Sequence, residues 1–158
     1  PPPQSISPTS TGKALFSVFK GVHENVVVEG EDVMRLVTLR SHDQYNTTIY
    51  AMDDRYRGVF GRRDVLFMNE QDMAAQGLEH GDRVDINTAL PDSELTLEDI
   101  TVVAYGIAPG TVGAYYPEAN VLVPLNYLDE ESGTPSYKSV PVRLTLRSKE
   151  IRPLAGGR

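Results

Sequence analysis

Residues 37–50, VTLRSHDQYNTTIY, join an apolar strand directly to a polar loop. The first residues are apolar and β-branched, which is typical of a buried strand. The loop that follows carries eight side chains that form hydrogen bonds: Arg40, Ser41, His42, Asp43, Gln44, Asn46, Thr47 and Thr48. Because polar groups need partners, either solvent or a polar ligand must satisfy them. We expect this loop to be solvated and mobile in the isolated chain.

The overall composition indicates one domain that is rich in turns. The chain has 158 residues, which suffices for one core, and its 13 Gly and 11 Pro indicate many turns. It contains no cysteine, so it offers no disulfide, thiolate metal site, iron–sulfur ligand or cysteine nucleophile. No apolar run approaches the roughly 20 residues that span a bilayer. We expect a cytoplasmic protein without contact to a membrane.

The two ends of the chain differ in composition from its middle. Residues 1–30 are predicted to be a flexible leader or linker, because the first twelve are rich in Pro, Ser and Thr. Within them, residues 13–20 alternate well enough for a short strand. Residues 31–148 are predicted to form the folded domain, and residues 149–158 a frayed tail. Because the chain lacks an initiator Met, we expect that it is processed or excised from something longer.

The net charge of -7 argues against nucleic acid as a partner, since phosphate neutralisation requires a basic surface. The charge is uneven, however, because residues 35–63 hold six arginines against three aspartates. Such a local cationic region suits a small anionic ligand better than a long polymer. The alternative is that these arginines are ordinary surface residues paired with neighbouring acids.

Short strands separated by turns dominate the middle of the chain. They are predicted at residues 33–39, 65–68, 83–88, 100–105, 111–115 and 140–146. Asn69 is a suitable N-cap for a helix that ends near Gln76, and Gly77 suits the left-handed position that terminates it. The acidic segment 89–99 is predicted to be an exposed hairpin tip or an insertion. This pattern predicts a mainly β fold, a barrel with one or two short helices.

Motifs for several chemistries are absent. There is no GxxxxGK(S/T) or GxGxxG loop, and the three histidines have no zinc-binding spacing. Ser41, His42 and Asp43 are adjacent, so their side chains point apart and cannot form a catalytic relay. We therefore assign no catalytic and no metal-ligating residue.

Four segments in a fixed order carry a resemblance to a known family: LRSHDQYNTTIY, VLFMNEQDMAAQGLEHGDRVDI, PGTVGAYYPEANVLVPL and SGTPSYKSVPVRL. Together they resemble the C-terminal dinucleotide-binding domain of molybdopterin oxidoreductases, most closely the formate dehydrogenase-like branch, over about residues 33–147. The resemblance implies a double-psi β-barrel that forms one wall of a cleft for two molybdopterin guanine dinucleotides.

The resemblance also implies a set of cofactor-binding residues: Arg40, Ser41, His42, Gln44, Asn46, Thr47, Thr48, Asn120, Ser136, Tyr137 and Lys138. Their chemistry agrees, because guanidinium groups bind diphosphate and amide side chains bind the edge of a pterin or guanine. Plainer roles stay open for some of them. Asn120 could only form a turn, Thr47 and Thr48 could only cap the loop, and His42 could brace it.

In the family, other domains hold the molybdenum or tungsten and any iron–sulfur cluster. We therefore expect a chain that is inactive alone, monomeric when isolated, and bound to the remaining domains of a parent oxidoreductase. The alternative is a stand-alone double-psi barrel that binds proteins, with the acidic segment as its surface. An enzyme that acts alone has weaker support, because no nucleophile and base pair stands out.

Overall fold

Six strands and two short helices form the domain in the computed structural model, which describes residues 9–14, 16, 30–46, 49–129 and 132–149. The strands are β1 (Met34–Leu39), β2 (Val65–Met68), β3 (Arg83–Thr88), β4 (Thr96–Ala104), β5 (Thr111–Tyr115) and β6 (Val140–Ser148). Helix α1 (Glu70–Ala75) follows β2, and a 3₁₀ helix (Glu118–Leu122) follows β5.

The strands close into a barrel in the order β1, β5, β2, β4, β3, β6. The pairs β1–β5 and β2–β4 are parallel, and the remaining neighbours are antiparallel. Parallel neighbours cannot be joined by a tight turn, and here β1 is linked to β5 through β2, β3 and β4, while β2 is linked to β4 through α1 and β3. The closed β-barrel with two short helices confirms the predicted fold class, a mainly β double-psi barrel.

Strand β2 is buried on both of its faces. Leu66 and Met68 belong to the large core inside the barrel, whereas Val65 and Phe67 belong to a smaller cluster on the outside. Val59, from the connection between β1 and β2, completes this outer cluster and is itself fully buried. The long connection is therefore part of the folded structure, because it shields the apolar outer face of β2 from water.

A buried carboxylate, that of Asp54, fastens this connection to the barrel. Asp54 accepts hydrogen bonds from Tyr115 Oη at 2.9 Å and from Arg57 Nη1 at 2.5 Å. Its backbone also pairs in both directions with Val59, at 2.7 and 3.1 Å. Burial alone would raise the pKa of Asp54, but the hydrogen bonds from Arg57 and Tyr115 outweigh it and lower that pKa.

The predicted helix signals are confirmed. The side chain of Asn69 caps α1 by accepting a hydrogen bond from the backbone N–H of Gln71. Its amide nitrogen also donates to the carbonyl oxygen of Ile107 at 2.9 Å, which ties the helix to the β4–β5 connection. Gly77 has φ = 66°, the left-handed conformation expected after the helix.

The prediction for segment 89–99 is partly wrong. Residues 89–95 do connect β3 and β4, but the residues from Thr96 onward belong to β4 and pair with β3. Leu97 lies opposite Ile86 and packs against the core, which the surrounding acids concealed in the sequence. Strand β6 also continues two residues beyond its predicted end. Most of the strand predicted at 13–20 and most of the predicted leader and tail lie outside the described residues.

We expect Asp54→Asn to lower the free energy of unfolding by about 3 kcal/mol, because it removes the buried carboxylate that pairs with the partly buried Arg57. Because the pKa of Asp54 is lowered in the folded state, its carboxylate stabilises the protein at pH values above its unfolded-state pKa. This contribution is lost as the pH falls through the folded-state pKa. The variant should therefore lose less stability than the parent chain on acidification below about pH 4.

Urea unfolding followed by circular dichroism at pH 7 and pH 3 measures both effects. Asp92→Asn is the matched control, because Asp92 is an exposed residue in the β3–β4 turn. Equal unfolding free energies for the two variants at pH 7 would contradict the role of Asp54.

Candidate functional site

The side chain of Arg63 joins the loop after β1 to the turn after β5. It is buried, and it donates from Nη1 to Ser41 Oγ at 2.7 Å and from Nε to Glu118 Oε1 at 2.5 Å. Its Nη2 donates to the carbonyl oxygen of Tyr116 at 2.8 Å and to Gln44 Oε1 at 3.2 Å. These five residues are called the Arg63 cluster below. They fix the loop and the turn relative to each other.

Two aromatic rings pack against the same guanidinium group. The central carbon of Arg63 lies 4.1 Å from the ring centroid of Tyr50 and 4.7 Å from that of Tyr115. Both distances are within the range of a cation–π interaction. Tyr115 is the last residue of β5, so Arg63 is anchored on the barrel and in turn holds Tyr50 of the loop.

Two of the predicted site residues are used to build this loop. Gln44 Oε1 accepts from the backbone N–H of Ser41 at 2.9 Å, and its Nε2 donates to the carbonyl oxygens of Tyr116 and Asn46. The expectation of a solvated loop without internal partners is therefore wrong for Ser41 and Gln44. Asn46 adopts φ = 55° in an exposed turn. The predicted residues Thr47 and Thr48 lie outside the described residues.

His42 lies at the edge of a pocket of about 300 Å³. Its Nε2 is 2.8 Å from Arg55 Nη2 and 3.1 Å from Asp43 Oδ1, and its ring makes an edge contact with Tyr56 at a centroid distance of 3.9 Å. His42 thus braces the loop and also faces the pocket, which is lined by Arg40, Ser41, His42, Tyr56, Arg57 and Tyr105.

A second cleft, of about 190 Å³, brings together residues from three distant parts of the sequence: Thr38, Arg40, Tyr116, Tyr137 and Lys138. The Lys138 ammonium donates to the carbonyl oxygen of Thr38 and lies 3.3 Å from its hydroxyl. The guanidinium carbon of Arg40 is 5.8 Å from the ring centroid of Tyr116, which makes an edge contact with Tyr137. We call this site the Arg40–Lys138 cleft.

The positive charges of this cleft have no acidic partner among the described residues. Burial lowers the pKa of Lys138, and the nearby charge of Arg40 lowers it further. Neither side chain forms an ion pair with a described carboxylate. Two cations that face each other without an anion favour binding of an anionic ligand, which would relieve their repulsion.

Unlike Arg40, most arginines of the cationic region in residues 35–63 form ion pairs with carboxylates. The alternative interpretation, pairing with nearby acids, is correct for four of them: Arg55 with Asp43, Arg57 with Asp54, Arg62 with Asp64, and Arg63 with Glu118. The surplus charge that the sequence indicated is therefore largely neutralised within the fold. Arg40 differs from these four because it lies beside another cation.

The remaining predicted residues lie outside the lining of this cleft. Asn120 is in the 3₁₀ helix, and its Oδ1 is buried without a described hydrogen-bond donor. Ser136 donates its backbone N–H to Tyr127 at 3.1 Å. Of the predicted set, the structure thus brings Arg40, Tyr137 and Lys138 into one cleft.

Sequence reasoning missed Thr38, Tyr116 and Arg63. Thr38 is a buried polar residue in an apolar strand, and this was a usable signal, because a polar side chain facing inward needs a partner. Arg63 gave no such signal, because its acidic partner lies 55 residues away. Among the described residues, no group of three or more His, Asp or Glu side chains could hold a metal ion. No described helix is long and apolar enough to cross a membrane.

We expect Arg63→Lys to lower the free energy of unfolding by about 3 kcal/mol, because an ammonium group cannot replace the forked hydrogen bonds of a buried guanidinium. Urea denaturation measures this loss. Arg55→Lys is the control, since Arg55 is exposed and its ion pair with Asp43 is long, at 3.8 Å. A loss no larger than that of the control would show that the Arg63 cluster does not stabilise the fold.

The sequence matches a known protein family and several longer proteins. Residues 34–141 match the family described as Molydopterin dinucleotide binding domain, a range that begins with β1 and ends at the start of β6. The chain is 49% identical over 141 residues to an uncharacterized oxidoreductase of Mycobacterium tuberculosis. It is 43% identical over 139 residues to protein YdeP of Escherichia coli K12.

These two alignments cover 86% of this chain but only 18% of either relative. The chain therefore spans less than a fifth of the length of the curated relatives that it matches. The family match, in contrast, includes all of β1 to β5 and the Arg40 and Lys138 positions that form the cleft. This chain belongs to the Molydopterin dinucleotide binding domain family.

Proposed function

We propose that this chain is the cofactor-binding domain of a larger molybdenum or tungsten oxidoreductase, of a formate dehydrogenase-like type, located in the cytoplasm. The observation that carries the proposal is the Arg40–Lys138 cleft, where two cations that have no acidic partner in the described part of the chain lie beside two tyrosine rings. The family match indicates the class of cofactor, and one relative is named an oxidoreductase. The ligand is a molybdopterin guanine dinucleotide, of which the full enzyme holds two.

The residues of the cleft fit the chemistry of a dinucleotide. Arg40 offers a guanidinium fork to one phosphate, and Lys138 offers a point charge to the next. The faces of Tyr116 and Tyr137 suit a heterocycle, since aromatic groups stack at low entropic cost. When bound, the cofactor supplies the redox chemistry at its metal, while this domain binds and orients its distal part.

Asn120 supplies a second point that fits the cofactor. Its buried Oδ1 has no described donor, and an acceptor in this state is costly unless a partner reaches it. A pterin or guanine edge carries N–H donors that match it. Ser41 and Gln44, in contrast, are engaged by Arg63, so their role in the proposal is to hold the loop that carries Arg40 and His42.

Substituting Arg40→Gln or Asn120→Ala in the full-length enzyme should lower its cofactor content. Each loses an interaction that a buried cofactor cannot replace with water, and a hydrogen bond to a charged group contributes about 1.5–3 kcal/mol. Metal analysis by mass spectrometry and pterin fluorescence after oxidation measure the occupancy. Arg147→Gln is the control, because Arg147 is half exposed on β6 and pairs with Asp85 and Glu98.

Unchanged metal and pterin content in both variants would contradict the proposed function. It would favour the alternative of a double-psi barrel that binds proteins, because such a barrel does not need two unpaired cations in one cleft.

The isolated chain should bind the nucleotide part of the cofactor only weakly, because it forms one wall of a site that other domains complete. With guanosine diphosphate as the probe, we expect a Kd on the order of 1 mM at low salt. Added salt should weaken binding further, since the attraction to Arg40 and Lys138 is electrostatic. Calorimetric titration measures both properties, and nanomolar binding would be inconsistent with a single wall.

A further inference from the structure

We infer that Lys138 is a site of covalent acylation by small acyl phosphates, because the Arg40–Lys138 cleft can bind the phosphate and position the amine. Five residues line this cleft: Thr38, Arg40, Tyr116, Tyr137 and Lys138. Lys138 is exposed, so a small molecule in solution can reach it. The other lysines in the described part of the chain, Lys13 and Lys149, are also exposed but do not line the cleft. Lys138 therefore differs from them in its surroundings.

The two oxygen atoms of Thr38 orient the amine of Lys138. The Lys138 nitrogen donates to the Thr38 carbonyl oxygen and to the Thr38 hydroxyl oxygen, which lies 3.3 Å away. Thr38 is itself held in place, because it is buried in β1 and its backbone N–H donates to the carbonyl oxygen of Tyr137 at 3.1 Å. A neutral amine has two N–H bonds and one lone pair. With both N–H bonds directed at Thr38, the lone pair is left to attack an electrophile in the cleft.

Arg40 acts on both reactants. Partial burial lowers the pKa of Lys138, and the charge of Arg40 lowers it further, so more of this lysine is neutral amine than of an ordinary lysine at the same pH. The guanidinium of Arg40 also offers paired N–H donors to the phosphate of the reagent. No carboxylate among the described residues forms an ion pair with either cation and competes for this position.

The reaction is a transfer of the acyl group from phosphate to nitrogen. The neutral nitrogen of Lys138 attacks the carbonyl carbon of the acyl phosphate, a C–N bond forms, and the C–O bond to the phosphate breaks. The phosphate leaves with that electron pair, and the nitrogen loses one proton to the phosphate or to solvent. The product is an uncharged amide. The cleft volume of about 190 Å³ is the share of about six water molecules in the liquid, which suits a small reagent such as acetyl phosphate.

Acylation of Lys138 changes the charge of the cleft. It removes one of the two cations that line the cleft, so an anionic ligand binds more weakly afterwards. A ligand that is already bound covers the amine and prevents the reaction. Modification therefore acts on the protein before it takes up the cofactor and lowers its later uptake. This consequence rests on the proposed function, whereas the acylation itself depends only on the geometry of the cleft.

Incubation of this chain with acetyl phosphate, followed by mass spectrometry of its peptides, measures the acylation rate of each lysine separately. We expect Lys138 to be acetylated several-fold faster than Lys13 and Lys149, which serve as internal controls in the same sample. Inorganic phosphate should slow the reaction of Lys138, because it competes for Arg40, and should leave the two control lysines unchanged. A rate for Lys138 no higher than that of the controls would overturn the inference.

The role of Arg40 is tested by comparing acetyl phosphate with an uncharged reagent, the N-hydroxysuccinimide ester of acetic acid. Arg40→Gln should slow the reaction of Lys138 with acetyl phosphate several-fold more than its reaction with the ester, because only the phosphate needs the guanidinium. Arg147→Gln is the matched control, since Arg147 pairs with Asp85 and Glu98 on another part of the barrel. An equal effect of Arg40→Gln on both reagents, or no effect of phosphate on the parent chain, would contradict binding of the reagent in the cleft.

Cofactor uptake by the full-length protein separates this inference from the proposed function. Cofactor-free protein is treated with acetyl phosphate and then supplied with the cofactor, and its metal and pterin content is measured. The parent protein should lose uptake, whereas Lys138→Arg, which keeps the charge and removes the amine, should not. Preferential acylation of Lys138 in a protein that never takes up the cofactor would support the inference and refute the proposed function. Uptake that depends on Arg40, without preferential acylation of Lys138, would do the reverse.

Discussion

The hydrogen bonds of the buried Arg63 guanidinium are the interactions on which the arrangement of the loop after β1 and the turn after β5 depends. A charge removed from water must be paired and hydrogen-bonded, and Arg63 achieves this only if the loop after β1 and the turn after β5 meet around it. The rings of Tyr50 and Tyr115 also pack against this guanidinium, so the shape of its surroundings is constrained as well. The position of the loop is thus set by one residue that does not itself line the cleft.

Cations that are paired within the fold differ from those that line the Arg40–Lys138 cleft. Arg57, Arg62 and Arg63 form ion pairs within the fold and serve its stability. Arg40 and Lys138 lie beside each other, and the charge of one lowers the pKa of the other. Charges that the fold neutralises are structural, whereas charges that it brings together without an acid are suited to an anionic ligand.

The connection between β1 and β2 contains both residues that stabilise the fold and residues that line the two pockets. Its far part, from Asp54 to Val59, covers the outer face of β2 and is fixed by a buried carboxylate. Its near part carries Arg40 and His42 to the two pockets. Because the far part is stabilised by apolar burial and ion pairing, the near part can carry polar groups that are not all satisfied internally.

The sequence by itself determined the strands, the cap of α1 and the family, because these depend on local alternation, on single capping residues and on ordered motifs. Alternation failed at the start of β4, which acids hid, and at the end of β6. Only the tertiary structure decided which polar residues are structural and which are available to a ligand. Arg63 reaches Glu118 across 55 residues and Lys138 reaches Thr38 across 100, and composition or spacing cannot report such contacts because they form when the barrel closes.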